Sequence, residues 1–173
     1  MKLKHLLLAT LMGFTSIYAN ADKISLIADI HVNPGNHREE KLRQVINDIN
    51  NKILDTVKAP EEVFSHDGLR LMRLARFSAE LNFKPTDKVL KSAKDNAENI
   101  KQISPERIFA ELKMILSADK KYEFSDKKGH YSGLKILDQT RVLDGFLPDL
   151  TLGRDMAQRN DFHNYDVLEH SLR

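Results

Sequence analysis

The sequence predicts a mainly α-helical protein with one β-strand near its N-terminus, and three observations carry that prediction. Beyond residue 36, apolar residues return every three or four positions, as in Leu42, Val45, Ile46, Ile49 and Ile53, and again in Val89, Leu90, Ala93, Ala97 and Ile100. A helix start is written out at Ser104-Pro105-Glu106, where a capping hydroxyl precedes a proline at the first helical position and an acid at the positive end of the helix dipole. Against these stands one continuous β-like apolar run, from Lys23 to His31.

Met1 to Ala21 opens with Lys2 and Lys4, continues through an apolar run from Leu6 to Ile17 and ends in Ala19-Asn20-Ala21. A basic start, a short hydrophobic core and small residues at the cut mark a secretory signal peptide, cleaved after Ala21. The core is too short to be a transmembrane segment. Residues 22–50 read as a strand and a helix. The strand ends in Asp29-Ile30-His31, and because positions i and i+2 face the same way, it delivers two candidate metal ligands, Asp29 and His31, from its carboxyl end. Asn36 caps the following helix, whose apolar face suits a parallel sheet. No sheet follows in the sequence, so the strand over 23–31 is an orphan without partners. Near Asn50 and Asn51 one pattern stops and another begins, with no Gly, Pro or Ser linker between them.

The next segment holds the chemically densest stretch, His66-Asp67-Gly68-Leu69-Arg70-Leu71-Met72-Arg73-Leu74-Ala75-Arg76-Phe77. Three arginines at spacing three thread an otherwise apolar helix. Each step of three turns about 300°, so Arg70, Arg73 and Arg76 cover roughly a third of the circumference beside Asp67. Leu71, Met72, Leu74 and Ala75 hold the opposite side. Guanidinium groups so close to a packed face need partners. One reading is internal pairing with Glu61, Glu62 or Glu80. The other is a ligand, since a planar fork with five donors suits base edges and phosphates. Further on, Thr86 is placed to cap a helix over Asp87 to Ile100, and the polar stretch from Lys120 to His130, which carries Gly129, reads as a surface loop between helices.

Composition narrows the class. A chain of 173 residues allows one ordinary domain with appendages. The absence of cysteine excludes disulfides and thiolate metal sites. A net charge of +2 is too small to argue for nucleic acid by itself.

The arginine stretch resembles the neck helix of the class II tRNA nucleotidyltransferase and poly(A) polymerase family, where a Glu-Asp-Pro-Leu-Arg-x-Leu-Arg-x-x-Arg-Phe run occurs. His66 stands where the family has Glu, and Gly68 where it has Pro. The resemblance extends over about residues 53 to 173. Ile103 to Leu112 is similar to the family's Ser-x-Glu-Arg-Ile-x-x-Glu-Leu helix of the RNA-binding body, and Gly133 to Leu137 and Phe146 to Leu150 resemble the later body. Phe162 to Ser171 is similar to the first helix of an HD phosphohydrolase domain, in which the histidine matching His170 is a metal ligand. The implied organisation is therefore a signal peptide over 1–21, an incomplete strand and helix over 22–50, a helical neck and RNA-binding body over 53–160, and a truncated HD helix over 161–173.

That resemblance implies a nucleotide-binding set of Asp67, Arg70, Arg73 and Arg76, with Asp67 and Arg70 reading the Watson-Crick edge of CTP or ATP, and tRNA or another RNA as partner. The family's transfer reaction uses Mg2+ held by an Asp-x-Asp pair. No Asp-x-Asp occurs in this sequence, so no catalytic residue is assigned and no Mg2+ is expected to be held by this chain alone. The strand over 23–31 resembles that of exported calcineurin-like metallophosphoesterases, which implies a metal role for Asp29 and His31. Two alternatives therefore stand beside the RNA-binding reading: an exported metal-dependent phosphoesterase fragment, or a fused reading frame without function. A genuine signal peptide implies an exported product; a fusion artefact implies a cytoplasmic one.

Overall fold

The computed structural model describes residues 37–56, 58–122, 128–158 and 164–173. In chain order these form α1 (His37–Asn50), β1 (Ile53–Leu54), α2 (Pro60–His66), α3 (Leu69–Leu81), β2 (Lys84–Pro85) and α4 (Asp87–Asp95). There follow α5 (Pro105–Leu116), α6 (Ala118–Tyr122), α7 (Gly129–Gln139), α8 (Pro148–Thr151) and α9 (Val167–Leu172), with 3-10 turns at Ala97–Gln102 and Val142–Gly145. The expected class, mainly α, is what the structure shows. The signal-peptide pattern, the strand over 23–31, and Asp29 and His31 lie outside the described residues.

Helix α3 organises the rest. Its neighbours are α5, α6 and α7. Leu71, Met72, Leu74 and Ala75 join Phe64, Val89, Ile100, Ile115, Leu137 and Leu143 in one core cluster. Each large apolar side chain so enclosed contributes about 1.5–3 kcal/mol, which outweighs the modest helix propensity of these short segments. The α7 backbone approaches α3 at Gly133, where a Cβ would stand 2.8 Å from Ile115 Cγ2 and 3.0 Å from the Ala75 carbonyl oxygen. Only glycine permits that approach.

Three local features differ from the sequence reading. Ile53, assigned to the face of the first helix, lies in β1: α1 ends at Asn50 because Lys52 takes a left-handed backbone with φ 55°, and the chain turns. β1 then pairs in parallel with β2, Ile53 opposite Lys84 and Leu54 opposite Pro85, a small ribbon that closes off the α2–α3 unit. The helix read over Asp87 to Ile100 breaks after Asp95, where the Ser92 carbonyl accepts from both the Asn96 backbone N–H at 3.1 Å and the Asn96 side-chain amide at 2.9 Å, and a 3-10 turn follows. Thr86 is its N-cap residue but makes no side-chain capping bond. Finally, the polar stretch from Lys120 is shorter as a loop than expected, since α6 reaches Tyr122 and α7 begins at Gly129. Asp119 sets that second start: its carboxylate accepts from the Gly129 backbone N–H at 2.6 Å and contacts the His130 ring.

The C-terminal helix is fastened by one carboxylate. Glu169 accepts from Lys135 Nζ at 2.8 Å, from Arg173 Nε at 2.9 Å and from the Tyr131 hydroxyl, while Asp166 caps the helix by accepting from the Glu169 backbone N–H. Arg173 also lies over the Tyr165 ring, 3.9 Å from its centroid. Burial alone would push the Glu169 carboxyl up, but the hydrogen bonds from Lys135 and Tyr131 outweigh this and hold it below its ordinary value. A depressed folded-state value means that the group stabilises the fold above the ordinary carboxylate range, and that this stabilisation erodes as pH falls through the lower, folded value. Acid titration followed by hydrogen exchange should therefore show α9 losing protection before α3 does, and Glu169→Gln should flatten that acid dependence. Equal acid sensitivity in the variant would assign the loss to other carboxylates.

Candidate functional site

The site is built at the corner between α2 and α3. Pro60 sits at the first turn of α2, with Glu61 and Glu62 beside it at the positive end of the dipole. The helix stops where Asp67 turns extended, with φ −152° and ψ 106°. Asp67 then starts α3: its Oδ1 accepts from the Leu69 backbone N–H at 3.0 Å, and its carbonyl accepts from the Arg70 N–H at 3.0 Å. An acid in this place satisfies donors that a helix start leaves unpaired. The arginine three residues on completes the corner from the other side. Arg70 Nη1 donates to the Val63 carbonyl at 2.9 Å, tying the end of α2 to the start of α3. Asp67 and Arg70 are both half-buried, so each serves the fold while keeping an accessible edge.

The row then dives inward. The Arg73 side chain is 25% exposed, and its Nε lies 3.4 Å from Glu111 Oε1 on α5. Arg76 is only 9% exposed, with Nη1 3.0 Å from Glu111 Oε2 and Nε 3.7 Å from Glu80 Oε2. The Nη1 contact to Glu111 lacks hydrogen-bond alignment, and Nη1 donates instead to Met114 Sδ at 3.5 Å. Lys121 adds a further positive group 3.7 Å from Glu80 Oε1. Of the three internal acids considered from sequence, Glu80 is a partner of this row. Glu111 is a partner that the sequence reading did not name, although its signal was present: it sits between Ile108 and Ile115 on the buried side of α5.

A second unforeseen contributor is Asn99, on the 3-10 turn after α4. Its amide donates to the Phe64 carbonyl at 3.2 Å, the last turn of α2. Its own carbonyl lies against Gly68, where a Cβ would come within 2.3 Å of it. The Gly68 backbone, at φ −60° and ψ −23°, is one that proline also adopts. The added carbon, not the torsion, is what this corner excludes.

The remaining site candidate among the described residues is His170, exposed on α9. Among the described residues no group of three or more His, Cys, Asp or Glu side chains is placed to hold a metal ion, so these residues do not form a Mg2+ centre. No helix among them is long and apolar enough to cross a membrane.

Residues 82–152, from the end of α3 through α8, match the family described as "Probable RNA and SrmB- binding site of polymerase A". A CCA-adding enzyme of Streptococcus gordonii is 39% identical over 109 residues, covering 63% of this chain and 25% of that relative. One from Streptococcus sanguinis is 36% identical over 118 residues, covering 68% of this chain and 27% of that relative. The helical part of the chain belongs to the tRNA nucleotidyltransferase and poly(A) polymerase family. A third similar CCA-adding enzyme, from Staphylococcus epidermidis, is 39% identical over 69 residues, or 40% of this chain and 17% of the relative. The chain thus spans about a quarter or less of the length of these curated relatives. A matched stretch of 118 residues within 173 must include positions 67–76, so the likeness to the Streptococcus sanguinis protein takes in the whole arginine row.

The glycine at position 68 lets the Asn99 carbonyl close directly on the corner. Gly68→Ala should force the 3-10 turn at Asn99 outward and destabilise the protein by about 1–3 kcal/mol. Chemical denaturation measures this directly. A variant as stable as the parent would show that the turn yields without cost.

Proposed function

We propose that this chain supplies the nucleotide-recognising neck and the RNA-binding body of a tRNA nucleotidyltransferase of the CCA-adding or poly(A) polymerase type. The observation that carries the reading is the corner itself. Asp67 offers carboxylate acceptors and Arg70 a planar donor fork, the two lie one helical turn apart, and both are held by backbone contacts while half-open to solvent. An acceptor and a fork set side by side suit the Watson-Crick edge of a cytosine or adenine base better than they suit a phosphate alone. Arg73 continues the row at the surface toward the nucleotide, and Arg76 supports it from within. The body over 82–152 takes the tRNA or other RNA partner, as expected for the matched family, and CTP or ATP is the small ligand.

The reading assigns recognition rather than phosphoryl transfer to these residues, because the sequence contains no Asp-x-Asp pair to align a triphosphate. Export is part of the same reading only through Met1 to Ala21, whose basic start and apolar core have the form of a signal peptide. Fractionation of cells carrying the full chain, with mass determination of the mature N-terminus, tests that address.

Binding of tRNA should weaken steeply with added salt, as phosphate contacts release counterions. Arg70→Ala should reduce CTP affinity by roughly tenfold, the worth of a hydrogen-bonded charged contact. Calorimetric titration of the full chain with CTP and filter binding with tRNA make both measurements. Salt-independent or absent tRNA binding, together with no CTP binding, would overturn the reading.

A further inference from the structure

One carboxylate touches both inner arginines of the row. Glu111 reaches across from α5, is 7% exposed, and divides its two oxygens: Oε1 faces Arg73 Nε at 3.4 Å and Oε2 faces Arg76 Nη1 at 3.0 Å. We propose that Glu111 is a positioning residue for nucleotide recognition, fixing the Arg73 guanidinium in the orientation that meets the ligand. The proposal rests on the nucleotide-binding reading of the row.

The physical case is an asymmetry between the two arginines. Arg76 is enclosed, with Glu80 on its Nε side and Met114 Sδ accepting from Nη1, so its place is set by the core. Because Arg76 is fixed, the Glu111 oxygen 3.0 Å from it is drawn toward a stationary charge. The other oxygen is then presented to Arg73, the one of the pair with a quarter of its side chain exposed. A long arginine side chain at a surface is otherwise spread over many rotamers, and ordering it on ligand binding opposes affinity. A buried carboxylate that holds Nε before the ligand arrives removes part of that cost. It also separates two like charges one helical turn apart, which would repel each other in a partly desolvated site. The chain of support therefore runs from Arg76 through Glu111 to Arg73, and only its last member meets the nucleotide.

The test is a double-mutant cycle on the full chain with CTP as the probe, using Glu111→Gln, Arg73→Ala and the pair together. Glu111→Gln keeps the shape of the side chain and removes its charge. If Glu111 acts through Arg73, each single variant weakens CTP binding by about tenfold, and the double variant binds no more weakly than Arg73→Ala alone. Additive losses, or a Glu111→Gln variant that binds like the parent, would overturn the positioning role while leaving the nucleotide-binding reading intact. A parent protein that fails to bind CTP would overturn both. Should Glu111→Gln fail to fold, the parent answers instead: its Arg73 Nε proton should exchange with solvent far more slowly than that of exposed Arg107 before any CTP is added. Equal exchange rates would overturn the proposal.

Discussion

The structure depends on a guanidinium that has been taken out of water. Arg76 lies inside the packing of α3 against α5, and a buried cation is tolerable only where anions and hydrogen-bond acceptors surround it. Two acids meet that demand from different directions, Glu80 from the next turn of α3 and Glu111 from α5. The Arg76–Glu111 pair fixes the register of the two helices more strictly than apolar packing would, because an apolar contact tolerates sliding and a buried charge does not. The α7 helix packs on another side of α3, where Gly133 lets it come close to Ala75 and Ala79.

From this anchor the site is assembled outward. α3 cannot rotate while Arg76 is held, so the position of its first turn is set as well. Asp67 and Arg70 then join α2 to that first turn by backbone contacts, Asp67 to the Leu69 and Arg70 N–H groups and Arg70 to the Val63 carbonyl. Asn99 holds the same corner from outside the α2–α3 pair, and the β1–β2 ribbon ties the start of α2 to the end of α3. Asp67 thus sits on the short connection between two fixed helices and Arg70 in the first turn of the second, which gives them rigidity that a longer connection would lack.

Much of this was legible in the residues. The apolar positions of α3, the start of α5 at Pro105 and the mainly helical class follow from periodicity and capping chemistry, which act within a few residues of one another. What periodicity missed depended on distant parts of the chain. Ile53 fitted the helical spacing of α1, but a left-handed turn at Lys52 and a strand partner thirty-one residues later decided otherwise. α4 gives way to a 3-10 turn after Asp95 although the apolar spacing runs on to Ile100, so the break is not fixed by spacing. Glu111 is the instructive case. An acid between Ile108 and Ile115 on the apolar side of a helix announces a buried charge, and hence a cation facing it, but the sequence does not say which cation. That pairing is set by how α5 crosses α3. The same holds for Asn99 and Gly68, thirty-one positions apart, whose close approach no motif encodes.

The spacing of the arginines explains why one row holds both half-open and enclosed cations. Residues three apart on an α-helix fall about 60° short of a full turn, so a row at that spacing winds around the helix instead of running along one face. Between Arg70 and Arg76 it travels about 120°. On a helix packed on several sides, such a row must pass from solvent into the interior, and the exposures follow that path, from half-buried Arg70 through Arg73 to enclosed Arg76. A row at spacing four and three in alternation would have stayed on one face, giving three similar surface cations with little to hold them. Spacing three instead gives one cation to the core and two that stay half-open, and the carboxylate beside the enclosed Arg76 is also within reach of Arg73. The orientation of the outer groups is therefore a consequence of burying the inner one.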